Sequence, residues 1–326
     1  MKKIIPIIII SFVVLSGVGT VALSIAKKTT TIAPSHMLNI RTTNGVSTNW
    51  AGYIVETNLN SPQSHAITDI KGSWIVPAVS GPVTPDTYSA SWIGIDGFSS
   101  NTVEQIGTDS NVHNGIAEYA AWYEMFPLPP VYLSMTIHAG DTMSAEVNYL
   151  GLRMFRLTLT DVTTGQTFST TQRTSVAAMG LSSTPMISGE SEHVVISNTQ
   201  PFTITTSATK TTGYDIYHIF RSTAVTPMTV TTGKMGLLSG PSRSSAEWIL
   251  EAPSNQNGQV LPLADFGTAS FFDSQVTVNG VTGSINNAQW QNDPLTMQSP
   301  SPPVIKAQPS VLSPDGTSFT VTWQHQ

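Results

Sequence analysis

Short alternating apolar runs, separated by turn-forming residues, are the feature that most constrains the fold of this chain. Phenylalanine and leucines alternate over 155–159 ahead of a Thr-Thr-Gly turn at 163–165. Valines alternate over 276–278 before an Asn-Gly hairpin pair at 279–280, and residues 319–323 alternate again. No stretch keeps a helical period for more than a turn or two. The pattern predicts an all-β sandwich or barrel of short antiparallel strands, with any helix incidental.

Two stretches depart from this pattern. Residues 172–242 are rich in Ser and Thr with scattered strand signals, which predicts an inserted β-rich segment. Residues 291–310 are interrupted by prolines at 294, 300, 302, 303 and 309. Because proline has no N–H to give to a sheet ladder, this second stretch is expected to be mostly irregular.

The N-terminal segment predicts export. Lys2 and Lys3 precede an apolar run over 4–26, and two further lysines close it. A charged start, an apolar centre and small residues near its end are typical of a signal peptide over 1–26. The run is also long enough to cross a bilayer, so an uncleaved membrane anchor stays open. The polar residues 27–48 are interpreted as a linker or short pro-segment, and the protein is expected to be secreted or extracellular.

Composition excludes several classes of function. The net charge of −6 leaves no basic surface for a nucleic-acid partner. The absence of cysteine rules out disulfides and thiolate metal sites, and the seven histidines show no metal-ligand spacing, so no metal or cofactor is expected. Only 10% of residues are charged, against about 25% on average. Few carboxylates suit a protein that lives at low pH, and a neutral Thr-rich β-protein is the alternative.

Several predicted strands carry polar residues among aromatic ones. Strand periodicity places Trp92, Gly94 and Asp96 on one face of one strand. The same periodicity places Trp122 and Glu124 on one face of another. An ionisable group within an apolar strand is unfavourable unless it is paired or lies in a cleft. These strands indicate a groove on a sheet face, although a single strand Glu usually marks only a solvent-facing side.

Two further polar residues lie in similar strands. Glu247 lies mid-strand with Trp248 and Leu250 on the opposite face, and Gln105 follows Glu104 in another strand. Five runs that contain these residues occur in the order NWAGY (49–53), SWIGIDG (91–97), EQIGTD (104–109), YAAWYEMFP (119–127) and SAEWILEAP (245–253). Together they resemble the signature blocks of peptidase family G1, the eqolisins or glutamic peptidases. Apart from residues 172–242, the resemblance extends from Asn49 to Trp323.

The resemblance implies a fold, an activity and site residues. It implies a two-sheet antiparallel β-sandwich, a concanavalin-like jelly roll, over 49–326, and an endopeptidase active at acid pH. The implied catalytic pair is Gln105 and Glu247. Four further residues match positions that line or support the groove and are implied to bind substrate: Trp50, Trp92, Asp96 and Glu124. The implied partners are polypeptide substrates, and the implied state is a monomer whose only contact with a membrane is an uncleaved N-terminal segment.

The implied chemistry suits these residue types. Glu247 can take a proton from the attacking water and deliver it to the leaving nitrogen, and an unperturbed Glu has a pKa of about 4.3. An acidic optimum then needs no special tuning of the pKa. Gln105 offers an amide N–H to the oxyanion and a carbonyl to hold the water.

Two other functions remain open at this point. A retaining glycosidase would use Glu124 and Glu247 as a carboxylate pair about 5–5.5 Å apart, beside an aromatic groove that suits sugar rings. A non-catalytic binding or surface-layer module would suit the Ser- and Thr-rich composition equally well.

Overall fold

The computed structural model describes residue 36 and residues 41–43, 45–174, 240–255 and 257–326. Secondary structure in these ranges consists of 17 β-strands, without a helix. The strands are β1 (Arg41–Thr43), β2 (Val46–Ser47), β3 (Trp50–Glu56), β4 (Ile67–Ile75), β5 (Ala90–Ile95), β6 (Val103–His113), β7 (Ile116–Phe126), β8 (Val131–Tyr132), β9 (Thr142–Gly151), β10 (Met154–Asp161), β11 (Gln166–Arg173), β12 (Ser245–Glu251), β13 (Thr268–Val278), β14 (Val281–Gly283), β15 (Gln291–Pro300), β16 (Pro303–Pro309) and β17 (Phe319–Trp323).

The strands form two packed layers. The first, which we call the site sheet, has the order β15-β3-β12-β5-β6-β7-β8. The second, which we call the support sheet, has the order β11-β10-β9-β4-β13-β17-β16-β15. Strand β14 pairs with β13, and the short strands β1 and β2 attach to β15. All of these pairings are antiparallel except that of β2 with β15, which confirms the predicted two-sheet antiparallel sandwich.

The alternating runs form the strands that they predict. Residues 155–159 lie in β10, whose apolar side chains are buried between the layers. Strands β13 and β14 form a hairpin in which Val278 pairs with Val281. Its two turn residues, Asn279 and Gly280, have φ angles of 51° and 82°. Positive φ at both positions is what a two-residue hairpin loop of this twist requires, and Asn-Gly tolerates it best.

The expectation of irregular structure over 291–310 is wrong, because this stretch contains β15 and β16. Its prolines occupy places where a missing N–H costs little. Pro300 and Pro303 form the last pair of the hairpin between these strands. Pro294 lies where β15 is the edge strand of the site sheet and pairs only with β3.

The core between the layers is aromatic and is fixed by hydrogen bonds from two tryptophans. Trp74 of the support sheet donates from Nε1 to the Thr108 hydroxyl of the site sheet, at 2.9 Å. Trp248 of the site sheet donates from Nε1 to the carbonyl of Lys71 in the opposite layer, at 2.8 Å. The latter approach depends on Gly72, where a Cβ would lie 2.7 Å from the indole ring of Trp248. These contacts fix how the site sheet lies on its support.

Several sequence-based expectations lie largely outside the described residues. They are the signal peptide or anchor over 1–26, most of the linker or pro-segment over 27–48, and most of the insertion over 172–242. Within 27–48, residues 41–43 and 46–47 form β1 and β2, where a linker was expected. In the described ranges, no helix is long and apolar enough to cross a membrane.

Candidate active site

The face of the site sheet that points away from the core carries its own buried cluster, and we call it the site face. Trp248 and Leu250 of β12 point into the core, so the alternate residues of that strand, including Glu247, belong to the site face. The apolar members of the site face are Trp50, Ile54, Ala90, Trp92, Phe98, Val103, Trp122, Ile249 and Leu295. The predicted opposition of Glu247 to Trp248 and Leu250 is thereby confirmed.

Strand register brings the two predicted catalytic residues into one row. Glu247 pairs with Gly94, Gly94 pairs with Gln105, and Gln105 pairs with Glu124. Directly opposed residues point to the same side of a sheet, and neighbouring strands lie about 4.8 Å apart. The backbones of Glu247 and Gln105 are therefore about 10 Å apart. With glycine between them, their side chains project from the same side of the sheet on either side of a residue that has no side chain.

The position of Gly94 between them has no room for a side chain. A Cβ built at this position would lie 3.1 Å from the Cβ of Gln105 and 3.2 Å from the carbonyl oxygen of Glu104. Both contacts are tighter than ordinary van der Waals packing, so even alanine would displace the Gln105 side chain. The row thus needs an acid, a residue without a side chain and an amide, in that order.

Gln105 is held by its other neighbour in the row. Its Nε2 donates to Oε2 of Glu124 at 2.6 Å, and it lies 3.5 Å from the main-chain carbonyl of His36. The Oε1 atom of Gln105 has no partner within the described residues. Burial, together with the negative charge of Glu251, raises the pKa of Glu124 to about 8, although His36 and the bond from Gln105 act in the opposite direction.

Glu247 is completely buried. Burial raises its pKa well above the ordinary value, and the negative charges of Asp96, Glu56 and Glu104 act in the same direction. The Ser245 hydroxyl on the same strand partly offsets this shift. The expectation of an untuned pKa is therefore wrong for the state in which Glu247 is shielded from water, because desolvation disfavours its ionised form.

The predicted groove tryptophans lie together on the site face. Trp50 and Trp92 make an edge-to-face contact with ring centroids 4.9 Å apart. The indole of Trp92 donates to Oε2 of Glu251 at 2.9 Å. Both rings are fully buried, and the Trp92 ring would lie 3.2 Å from a Cβ at Gly94, so it packs over the glycine of the row.

Asp96 supports the site from the end of β5. Its backbone turns out of the strand with a φ of 73°. Its carboxylate accepts backbone N–H bonds from Arg243 at 2.5 Å and Ser244 at 3.0 Å. These residues lead into β12, so Asp96 fixes the start of the strand that carries Glu247. The role of Asp96 in substrate binding stays a prediction.

Sequence reasoning missed three residues that meet on the site face: His36, Asp109 and Glu251. The His36 ring stacks on Trp122 with centroids 3.6 Å apart and planes 8° apart. Its Nε2 lies 3.4 Å from Oδ1 of Asp109, and its Nδ1 lies 3.3 Å from Oε2 of Glu251. The contact with Asp109 is an ion pair without a hydrogen bond, and Asp109 is fixed by the hydrogen bond that its Oδ2 accepts from the Tyr132 hydroxyl at 2.9 Å.

Two of these three residues could have been found by periodicity. Asp109 follows Gln105 by four residues and Glu251 follows Glu247 by four, so each shares a face with its catalytic partner. In the structure, Glu251 pairs with Ala90 and Ala90 pairs with Asp109. The site face therefore has two rows of the same kind, each with an acid in β12, a small residue in β5 and a polar residue in β6. One is Glu247-Gly94-Gln105 and the other is Glu251-Ala90-Asp109. The position of His36 had no comparable signal.

These carboxylates determine the charge of His36. Burial opposes the imidazolium form, but Asp109, Glu251 and Glu124 together outweigh it and raise the His36 pKa to about 9. His36 therefore carries a positive charge at neutral and acid pH. Within the described ranges no cluster of His, Asp and Glu residues could hold a metal ion.

We expect the folded protein to be most stable in acid. Five buried carboxyl groups have raised pKa values: Asp96, Glu104, Asp109, Glu124 and Glu247. The folded state thus binds protons more tightly than the unfolded state, whose carboxyls titrate near 4. This stabilisation is complete below that pH and is lost as the pH rises through the raised values. His36 acts in the same direction, because its contribution is present below about 6.5 and disappears through about 9.

Thermal unfolding of the Glu247→Gln variant, followed by circular dichroism from pH 4 to pH 8.5, measures this effect. The midpoint should fall by about 5 °C or more as the pH rises. A further Glu104→Gln substitution should flatten the curve, because Glu104 is buried with neither carboxylate oxygen hydrogen bonded to a described residue. A midpoint that increases towards pH 8.5 would contradict the assignment of raised pKa values.

Comparison with known proteins gives the same picture of the fold. The profile of the peptidase A4 family matches residues 48–187 and 181–311. The chain is similar to scytalido-glutamic peptidase solved with a transition-state analogue inhibitor, at 20% identity over 85% of this chain and 98% of that one, with a TM-score of 0.54. It is also similar to SCP-B, described as a member of the eqolisin family in complex with the tripeptide Ala-Ile-His, at 20% identity over 85% and 98% of the two chains, with a TM-score of 0.51. No curated protein gives a significant match.

Proposed function

The chain belongs to the peptidase A4 family, a family of glutamic-type peptidases, and we propose that it is an exported endopeptidase that hydrolyses peptide bonds at acid pH with Glu247 and Gln105. The observation that carries this proposal is the row in which Glu247 and Gln105 face each other across Gly94. A buried acid and a buried amide are unfavourable for folding alone. An acid and an amide on the same side of one row of the sheet supply the base and the oxyanion donor that hydrolysis of an amide by water requires.

Each side chain has a defined task in the reaction. Ionised Glu247 takes a proton from the water that attacks the scissile carbonyl carbon. The carbonyl oxygen becomes an oxyanion, which accepts an N–H bond from Gln105. Glu247, now protonated, gives that proton to the leaving nitrogen as the carbon–nitrogen bond breaks. One carboxylic acid and one amine are released, and Glu247 returns to its ionised form.

Glu124 orients the amide of Gln105. Its Oε2 atom accepts one N–H of Gln105 at 2.6 Å, a bond that one oxygen can still accept when the raised pKa of Glu124 keeps a proton on the other at acid pH. The second N–H of the same group is then available for the oxyanion, and Oε1 can hold the water. In this arrangement Glu124 is a positioning residue.

The buried state of Glu247 supports activity at acid pH once water enters the groove. While the site is closed, burial raises the pKa of Glu247 and keeps its proton bound. Water that enters with the substrate hydrates Glu247. This hydration relieves the desolvation and moves the pKa of Glu247 back towards about 4.3. The base then ionises in the acid range. Below that pKa, rates should fall with decreasing pH.

The geometry does not favour a glycosidase. Glu124 and Glu247 lie in strands separated by β5 and β6, so their backbones are about 14 Å apart. A retaining pair needs carboxyl groups about 5–5.5 Å apart. Glu124 is also bonded to Gln105, which would have no role in such a reaction. A binding module would give no reason for the buried, water-excluded Glu247.

The proposal of export rests on the N-terminal segment. Lys2 and Lys3 precede the apolar run over 4–26, as in a signal peptide. Polypeptides outside the cell are then the substrates, and retention of the apolar run would attach the enzyme to the membrane.

Expression in a secreting host, followed by assay of the medium on a denatured protein, tests this function. We expect hydrolysis at pH 3–5 and little at pH 7. EDTA and serine-directed reagents should have no effect, because the proposed reaction uses neither a metal nor a serine nucleophile. Loss of activity in EDTA that zinc restores, or hydrolysis confined to neutral pH, would contradict the proposal.

A further inference from the structure

A pocket on the site face contains His36 and is lined by Trp122, Asp109 and Glu251; we call it the imidazole pocket. We propose that the imidazole pocket is a substrate side-chain subsite that selects protonated histidine, and that His36 occupies it as an internal stand-in for substrate. The proposal rests on the peptidase function above and names the side chain that the enzyme prefers near the scissile bond.

The pocket recognises the charged form of the ring. Asp109 and Glu251 lie 3.4 Å and 3.3 Å from the two ring nitrogens of His36. Neutral imidazole has one N–H, so it can donate to only one of these carboxylates. Imidazolium carries an N–H on each nitrogen, so that Nδ1 hydrogen bonds to Glu251 while Nε2 faces Asp109 as an ion pair without a hydrogen bond. Glu124 is a third carboxyl that acts on His36, but with a pKa of about 8 it adds to the attraction only when it is ionised.

The pocket also recognises the flat shape of the ring. Trp122 is fully buried and stacks on His36 at 3.6 Å with nearly parallel planes. A planar cation on an indole face gains both stacking and cation–π attraction. A lysine ammonium could reach a carboxylate but has no flat face to stack, and glutamine has no charge. The pocket therefore distinguishes histidine from side chains of similar length.

The walls of the pocket are fixed independently of His36. Asp109 accepts a hydrogen bond from the Tyr132 hydroxyl, and Glu251 accepts one from the Trp92 indole, each at 2.9 Å. The two acids are held about 10 Å apart at their backbones by Ala90, which pairs with both strands. A pocket that is positioned by other residues can accept an imidazole from another chain.

The main chain of His36 also lies where that of a substrate residue would lie. Its carbonyl oxygen is 3.5 Å from Nε2 of Gln105, the proposed oxyanion donor. The residue that fills the pocket therefore has its own carbonyl beside the catalytic row. This places the imidazole pocket within a few residues of the scissile bond.

A series of substituted peptides tests the selectivity of the imidazole pocket for histidine. The enzyme is the full chain with His36→Ala, which leaves the pocket vacant. A peptide that it cleaves at one bond is remade with His, Gln, Lys or Arg at each of the three positions before that bond, and kcat/KM is measured at pH 5. At one position His should exceed Gln by about 10- to 100-fold, the range for hydrogen bonds to a charged group. Arg exceeding His there would make the pocket a guanidinium site and overturn the proposal.

Two variants show whether the pocket is responsible. Adding Asp109→Asn or Glu251→Gln should reduce the His-to-Gln ratio of kcat/KM towards one. Asp86→Asn is the matched control, because Asp86 also contacts a histidine, His113, at 3.2 Å but lies half-exposed outside the site face. That control should leave the ratio unchanged. A ratio that stays high in both pocket variants would overturn the proposal.

A binding measurement separates this proposal from the proposed function. In the full chain with Glu247→Gln, NMR should show the His36 ring signals shifted upfield by Trp122 and protonated up to about pH 9. If neither the wild-type enzyme nor the His36→Ala variant cleaves any peptide, but the His36 ring shows the upfield shift and stays protonated to about pH 9, the peptidase function fails while the imidazole pocket stands. If peptides are cleaved but His36 titrates near 6.5 with unshifted signals, the imidazole pocket is wrong and the peptidase function stands.

Discussion

Replacement of Glu247 by Gln is expected to abolish peptide hydrolysis while leaving the fold intact. Glutamine has the shape of a protonated Glu, which is the form that burial favours at this position. It cannot take a proton from water, so the general base is lost. Initial rates on a denatured protein at acid pH, together with circular dichroism, measure the two effects. Retention of more than a few per cent of the wild-type rate would remove Glu247 from the catalytic pair.

Glu104→Gln is a matched control for this substitution. Glu104 is also completely buried, with a pKa that burial raises well above the ordinary value. It neighbours Gln105 in β6, so its side chain points to the opposite face of the site sheet. The control should keep its activity. If both variants lost activity equally, the effect would come from the loss of a buried acid in the site sheet and not from catalysis.

Replacement of Gln105 by Ala is expected to reduce kcat by about 10²- to 10³-fold with a small change in KM. An oxyanion donor acts mainly in the transition state, and the loss of one has this effect in other hydrolases. The substitution also removes the donor to Glu124, so the pKa of Glu124 should increase further. Steady-state kinetics on one peptide measures kcat and KM separately.

Gln172→Ala serves as the control for Gln105→Ala. Gln172 is also a strand glutamine with hydrogen-bonded Nε2, but it belongs to β11 in the support sheet. Its removal should leave both kinetic parameters near the wild-type values. A loss smaller than about tenfold for Gln105→Ala would show that the oxyanion is stabilised by another group.

Local periodicity explains why much of the fold was predictable. Alternation locates β10, β13 and β17, and parity alone places Glu247 opposite Trp248. The resemblance to peptidase family G1 added the pairing of Glu247 with Gln105. What joins them in one row is strand register across Gly94, and register depends on contacts between segments far apart in sequence.

The errors have physical causes of the same kind. The strands over 291–310 were missed because a proline is tolerated where its strand has a neighbour on one side only. The shift in the Glu247 pKa was missed because burial is a property of the packed sheet. His36 was missed because its three partners come from β6, β7 and β12, and no spacing in the sequence links them.

The position of strand β15 bears on the resistance of the enzyme to self-digestion. It is hydrogen bonded to β3 in the site sheet and to β16 in the support sheet, so the two layers share one strand. The layers cannot separate at this edge unless one of the two ladders of β15 breaks. We expect a local opening there to cost more free energy than at an edge where no strand joins the layers. Because digestion of a native protein follows the population of its open forms, we expect the shared strand to slow self-digestion at this edge.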